Sequence, residues 1–588
     1  VKGERTRKIL ILSLLGMFLY TDAAFSEQDV ARLALSSAMR SEHRSIVVEV
    51  DAKDPSDAGK LEQMGWDVVS ENAVSPIQML VSGGQLELLK QNGWSPRVVM
   101  EDLDRHFNEK VNADGNLGEY HTYAEMLAAM REAADLYPDI VKLLDIGDSW
   151  EKAHNKGGHD IWAVKISARP DTEDPAKPDV LIMGCHHARE LITTEIPLAL
   201  IDSLTSRYAT DPTIKDIIDN NEVWIVPMVN PDGHVFVEQG NTNWRKNLNR
   251  NGSKLRKRHG VDLNRNYGYK WGHDDYGSSP HRGSEIYRGK TAFSEPETRA
   301  IKELTKGRQF LLSLSFHSFG RQFLYPWEYV AADPADVSVF QSLASIYCAQ
   351  NGYASGNVKS GTIYRVNGGS DDWLYGTRKI FAATVEVGSQ FIPPSDKVQK
   401  LVAENLDPSL RLISMAKHLR QKLLLSLDVA GVDNSQTSSV YFNDRSIGQL
   451  LVNGDIPGYQ RNLLALDYVS LFERDVNQIT FTAPYSTIDD AYDDIQIRNV
   501  KLKVAKEEAL LIDRNTYHLG DKTIAEIRDM NKNGDWTDPN PPRFWEELTG
   551  ASLVVEISAP DAEALSAAPA IGISGAPERA AAASGQAR

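Results

Sequence analysis

Three side chains at separated positions could together hold a metal ion. His187 and Glu190 stand at i and i+3 in Val180-Leu-Ile-Met-Gly-Cys-His-His-Ala-Arg-Glu190. An imidazole and a carboxylate suit zinc, whose catalytic sites use three N, O or S protein ligands and keep one position for water. A His-x-x-Glu pair is common, and a polar surface turn would read the same. His317, at the end of the apolar run Phe310-Leu-Leu-Ser-Leu-Ser-Phe316, offers a third ligand 130 residues from His187. His186 is a poor alternative, because Arg189 follows it at i+3 and a cation would repel the metal. A ligating histidine needs its other ring nitrogen held by an acceptor. Asp262, in Gly260-Val-Asp-Leu-Asn-Arg-Asn266, could supply it, although a simple turn aspartate looks alike. Glu386 lies inside Phe381-Ala-Ala-Thr-Val-Glu-Val387, where a carboxylate is costly unless paired or functional. It reads either as a general base acting on water or as half of a structural salt bridge. Positive charge for a developing oxyanion is available in Trp244-Arg-Lys246 and Asn264-Arg265.

These groups need elements to position them, and the pattern supplies strands. Ile161–Ile166, Asp179–Cys185, Glu222–Val229, Phe310–Phe316 and Phe381–Val387 are apolar runs that alternate with helical patterns such as 123–137 and 195–208. Such alternation predicts an α/β unit around a mixed or parallel sheet, with ligands beyond the carboxyl ends of the strands. Earlier in the chain, Leu61-Glu-Gln-Met-Gly-Trp66 is echoed by Leu89-Lys-Gln-Asn-Gly-Trp94. With strand runs around each copy, residues 27–104 read as a ferredoxin-like βαββαβ domain. Residues 105–118 are charged, lack periodicity and read as an exposed linker. From 431 to 558, short β-like runs separated by turn residues predict a β-sandwich. The Ala-rich stretch 559–588 has too few large apolar residues to bury a core and is expected to be disordered.

The chain has 588 residues, too many for one core, and a net charge of −17 that excludes nucleic acid as a main partner. Lys2, Arg5, Arg7 and Lys8 precede a 12-residue apolar run, Ile9 to Tyr20, and small residues at Ala24 and Ser26. Residues 1–26 therefore read as a signal peptide, which implies a secreted or periplasmic protein without a transmembrane segment. Two cysteines, Cys185 and Cys348, do not make a disulfide framework and read as small core residues. Asp529-Met-Asn-Lys-Asn-Gly-Asp535 has a calcium-loop rhythm, but Asn540 replaces the closing carboxylate, so a turn is expected.

Taken in order, the motifs resemble the carboxypeptidase A/B family of zinc metallocarboxypeptidases, most of all its secreted bacterial members. The resemblance covers residues 117–425 and implies a mixed-sheet α/β/α catalytic domain, placed at 119–428, with one Zn²⁺ bound by His187, Glu190 and His317. It implies Glu386 as general base, Asp262 behind a ligand histidine, and Arg245 as oxyanion stabiliser. Asn264 and Arg265 resemble the clamp on a substrate's terminal carboxylate, Tyr364 the mobile tyrosine that closes over substrate, and Arg189 a secondary subsite residue. Asp371, in Gly368-Gly-Ser-Asp-Asp-Trp373, falls where members that cleave basic residues carry an aspartate. Phe319 stands where the family often has tyrosine. The N-terminal unit resembles a propeptide capping the active-site funnel, and the C-terminal unit a carbohydrate-binding jelly roll that would meet a cell-wall or carbohydrate surface. The implied activity is release of C-terminal residues from peptides or proteins, with basic residues preferred. A cell-wall amidase cutting bonds to diaminopimelate is the alternative, and an inactive surface-binding scaffold a third reading.

Overall fold

The computed structural model describes residues 45–53, 57–63, 66–69, 76–111, 117–255, 259–430, 432, 438–451, 459–474 and 476–482, and the backbone of short strands from 485 to 572. The expected signal peptide, the core of the linker at 112–116 and the 529–535 turn lie outside the described residues.

An eight-stranded mixed sheet carries the site. Its strands are β5 (Val141–Asp148), β6 (Asp160–Ile166), β7 (Asp179–Met183), β8 (Glu222–Val226), β9 (Phe310–His317), β10 (Gln322–Leu324), β11 (Ala354–Gly356) and β12 (Phe381–Glu386). They run in the order β11-β10-β12-β9-β7-β8-β6-β5. The four central strands, β12, β9, β7 and β8, are mutually parallel, so their carboxyl ends open on one side. Their side chains divide between two cores, as the period-2 geometry of a strand requires. Val180, Ile182, Val223, Ile225, Leu314 and Phe316 enter one core with the helix Ile192–Arg207; Leu181, Met183, Trp224, Val226 and Ala382 enter the other. Both faces of these strands are covered, which is why they read as continuous apolar runs. The helix Tyr123–Leu136 starts at a capping box, in which Thr122 accepts from the Glu125 backbone and the Glu125 side chain accepts from the Thr122 backbone.

Residues 46–100 run strand, helix, strand, strand, helix, strand: β1 (Ile46–Val50), α1 (Asp57–Gln63), β2 (Asp67–Val68), β3 (Ile77–Val81), α2 (Gly83–Gln91) and β4 (Arg97–Met100). The sheet order is β2-β3-β1-β4, antiparallel throughout. Its core is not self-contained. Val48, Val50, Leu61, Ile77 and Met79 pack in one cluster with Leu324, Ile363, Tyr364 and Val366 of the large unit.

The linker expected at 105–118 is corrected in its first half. Leu103–Lys110 is a helix, α3, capped by Asp102, with Leu103 and Phe107 buried one turn apart. Its two apolar residues at i and i+4, masked in the sequence by charged neighbours, share one face and enter the main core, while Asp104 accepts from the Thr242 hydroxyl.

The boundary expected at 428–431 also moves. Strand β13 (Lys422–Ala430) pairs with Gln460–Asp467 and Gln496–Ala505, so the C-terminal β-region begins at about residue 422. Two sheets of four and five strands follow. Leu423, Leu425, Val440, Phe442 and Leu471 belong to the same apolar cluster as the helix Val337–Asn351. Within the stretch expected to be disordered, Ile571–Gly572 pairs with the strand Ser552–Ser558. Ile557↔Ile571 supplies the backbone partner that the open edge of that strand needs.

Candidate active site

The chain leaves β7 through a passage only glycine fits. A Cβ at Gly184 would stand 2.2 Å from the Thr193 carbonyl oxygen and 2.8 Å from that of Pro227. Cys185 follows at φ 52°, buried, its thiol pushed up by burial and so unreactive. The next turn presents His187 and Glu190, and Glu190 is fixed because its carbonyl accepts from the Thr193 hydroxyl at 2.6 Å.

His187, Glu190 and His317 converge. His187 Nδ1 lies 2.8 Å from Glu190 Oε1 and 3.1 Å from His317 Nδ1, and His317 Nδ1 lies 3.2 Å from Glu190 Oε2. All three are buried, and among the described residues they form the group of histidines and carboxylates able to hold a metal. Two imidazole nitrogens and a carboxylate oxygen facing one point are a zinc donor set, and bonds of about 2.0–2.1 Å to one ion would hold donors at this spacing.

Asp262 sits behind His187, its Oδ1 3.1 Å from Nε2. Asp262 also caps the short turn Leu263–Arg265. Burial alone would raise its carboxyl, but Arg245, His187 and Arg265 outweigh that and hold it well below the usual carboxylate range. Arg245 donates through Nε to Asp262 Oδ2 at 3.1 Å, and its Nη1 stands 3.6 Å from Glu190 Oε1. Its backbone carbonyl accepts from Ala188 N, tying this segment to the metal motif. Lys246 turns away and donates to the Ser284 carbonyl at 2.7 Å. Glu386 pairs in register with His317 across β12 and β9, so both buried side chains stand at adjacent parallel strand ends.

Asn264, Arg265 and Asp371 close the far side. Asn264 Oδ1 accepts from Ser370 N at 2.9 Å, and buried Arg265 donates to the Asn264 carbonyl. Asp371 accepts from the Thr384 hydroxyl at 2.7 Å. Burial pushes its carboxyl up to about 7, against the pull of Thr384 and Ser370. Two expected substrate contacts meet the N-terminal unit instead. Arg189 makes a bidentate pair with Asp67 at 2.8 and 2.9 Å, and the Tyr364 hydroxyl donates to Glu62 at 3.2 Å.

Sequence reasoning did not find Glu328. It is 2% exposed, and its Oε2 lies 2.8 Å from where a Cβ on Gly369 would be. A buried carboxylate inside the aromatic run Tyr325-Pro-Trp-Glu-Tyr329 was the available signal. Glu62 and Asp67 were missed because their partners lie more than a hundred residues away.

Comparison with known proteins agrees with this geometry. Residues 126–408 match the zinc carboxypeptidase family. The chain is 32% identical over 280 residues to a zinc carboxypeptidase of Saccharothrix mutabilis subsp. capreolus, spanning 46% of this chain and 62% of that relative's length. It is 31% identical over 277 residues to carboxypeptidase B of Astacus astacus, covering 46% of this chain and 86% of that one. The crystal structure of carboxypeptidase A from Helicoverpa armigera superposes with a TM-score of 0.55 at 25% identity, covering 63% of this chain and 97% of that one. The chain therefore belongs to the zinc carboxypeptidase family, the metallocarboxypeptidases, and zinc is the cofactor its donor set fits.

Proposed function

We propose that this protein is an exported carboxypeptidase that hydrolyses the last peptide bond of peptides or proteins and favours basic C-terminal residues. The observation that carries the reading is the buried His187, Glu190 and His317 cluster with Glu386 at the paired strand end. A zinc ion held by these three residues would supply a Lewis acid and would bring the pKa of a bound water down to about 7.

The chain's own residues do the rest. Arg265 and Asn264 take the free terminal carboxylate, since a guanidinium matches a carboxylate bidentately, and this restricts cleavage to chain ends. Glu386 accepts a proton from the attacking water and returns it to the leaving amine. Arg245 neutralises the oxyanion, Asp262 keeps His187 oriented, and Tyr364 closes over the substrate. Arg189 would contact residues upstream of the scissile bond.

A peptide panel with free or amidated C-termini, assayed by mass spectrometry with and without a zinc chelator, tests the reading. Single-residue release from free termini only, lost on chelation, is expected. Endoproteolysis, or activity that survives chelation, would refute it. Adding muropeptides makes diaminopimelate release a separate outcome.

The basic preference rests on Asp371, with Glu328 as a second buried carboxylate beside Gly369. Asp371→Ala should lower release of Lys and Arg far more than release of Leu or Phe. Because burial raises the Asp371 carboxyl to about 7, it is neutral in acid and charged above that value. The parent's preference for Lys over Leu should therefore grow as pH rises through about 7. A flat preference from pH 6 to 8, or an equal loss for both substrate classes in the variant, would count against Asp371.

Residues 27–110 are proposed as a covering prodomain, and the β-region as a module for a cell-wall or carbohydrate surface. What supports the first is that Asp67 and Glu62 engage the proposed substrate contacts Arg189 and Tyr364. Cutting the chain within 112–116 should raise activity on large substrates. Equal activity before and after the cut would exclude a covering role.

A further inference from the structure

His186 is the one histidine of the metal motif to which the proposed mechanism gives no work. It is fully buried, and a buried imidazole costs stability unless both nitrogens are satisfied. An aliphatic residue would fill a simple core position at lower cost. Both nitrogens of His186 instead meet partners on elements that carry the chemistry. Its Nε2 pairs with the Tyr267 hydroxyl at 2.8 Å, and its Nδ1 with the Ser315 hydroxyl at 3.3 Å. Ser315 precedes His317 by two residues on β9, so the two point to the same side of that strand. The His186 ring lies nearly parallel to that of His317, 18° apart with centroids at 5.4 Å. The His186 carbonyl accepts from Asn230 at 3.2 Å, which limits movement of its backbone.

Tyr267 lies two residues after Arg265, and its backbone nitrogen donates to the Gly368 carbonyl at 2.9 Å, at the start of the segment that holds Asp371. One side chain thus joins the strand of a metal ligand to the loop of the carboxylate clamp. His187 is braced from behind by Asp262, and the flat face of His317 is backed by His186.

We infer that His186 is a positioning residue that fixes the ring of His317 and, through Tyr267, the clamp segment at Asn264–Arg265. The inference rests on the zinc carboxypeptidase reading and adds a residue to it. Groups that orient a metal ligand are worth about 10–100-fold in metal affinity or activity.

The test uses the full-length protein and three variants, His186→Ala, His186→Phe and Tyr267→Phe. Zinc affinity is measured by chelator competition, and kcat and KM on a peptide with a free C-terminus. His186→Ala should weaken zinc binding by about 10–100-fold. His186→Phe keeps a ring against His317 and should recover most of that affinity. His186→Phe and Tyr267→Phe should share a raised KM with little change in kcat, the signature of lost substrate positioning. A folded His186→Ala with parental zinc affinity would overturn the inference. If His186→Ala does not fold, an unchanged KM in both His186→Phe and Tyr267→Phe would overturn it equally. A parent that binds no zinc would instead defeat the underlying reading, and the two failures are told apart by that control.

Discussion

Glu386→Gln is expected to lower kcat by about 10²–10⁴-fold, the range that a positioned general base contributes. The amide has the shape of the carboxylate but cannot accept a proton at the operating pH. Zinc should stay bound, because the donor set is His187, Glu190 and His317 and does not include Glu386. Folding should also hold, since Glu386 ends β12 where the isosteric amide fits the same register opposite His317. The pair of measurements is therefore diagnostic: kcat on a C-terminal peptide and zinc content of the same preparation. Turnover within tenfold of the parent at full zinc occupancy would move the base to another residue.

The site was legible because its residues end buried strands. β7, β9 and β12 are covered on both faces, so their sequences are mostly apolar; His317 and Glu386 interrupt that pattern at the open ends, and His187 follows β7 by four residues. The peripheral strands carried no such contrast. β5 is mostly half-buried and mixes Lys142 and Asp145 with its leucines, while β10 and β11 have three residues each. Strand β13 fell at the expected end of the α/β unit, because its leucines suit a helix as well as a strand and only pairing with distant strands assigns it to the β-region. Contacts between the N-terminal unit and the site depend on how two folded surfaces meet. No local spacing encodes the Asp67–Arg189 pair. His186 was set aside as a ligand on the grounds of Arg189, and the structure agrees that its nitrogens point elsewhere. Where they point, towards Tyr267 and Ser315, required the fold.

Arg245→Ala should lower kcat by about 10²–10³-fold with little change in KM, the loss typical of one oxyanion donor. Arg245 has a second connection that makes the result informative. It holds Asp262, which in turn holds His187, and it stands 3.6 Å from Glu190. Removing the guanidinium takes away the largest influence lowering the Asp262 carboxyl against burial. Two explanations for lost activity can then be separated by zinc affinity. If kcat falls while zinc binding is kept, the guanidinium acts on charge that develops during the reaction. If zinc affinity falls in step with kcat, Arg245 serves as a brace for Asp262. Arg245→Lys sharpens the distinction, because an ammonium retains the charge but cannot donate to Asp262 and face the reacting atoms in one planar fork. Partial recovery of kcat in the lysine variant at parental zinc affinity is the expected outcome. Full activity in Arg245→Ala would remove Arg245 from the mechanism and leave the oxyanion to other donors.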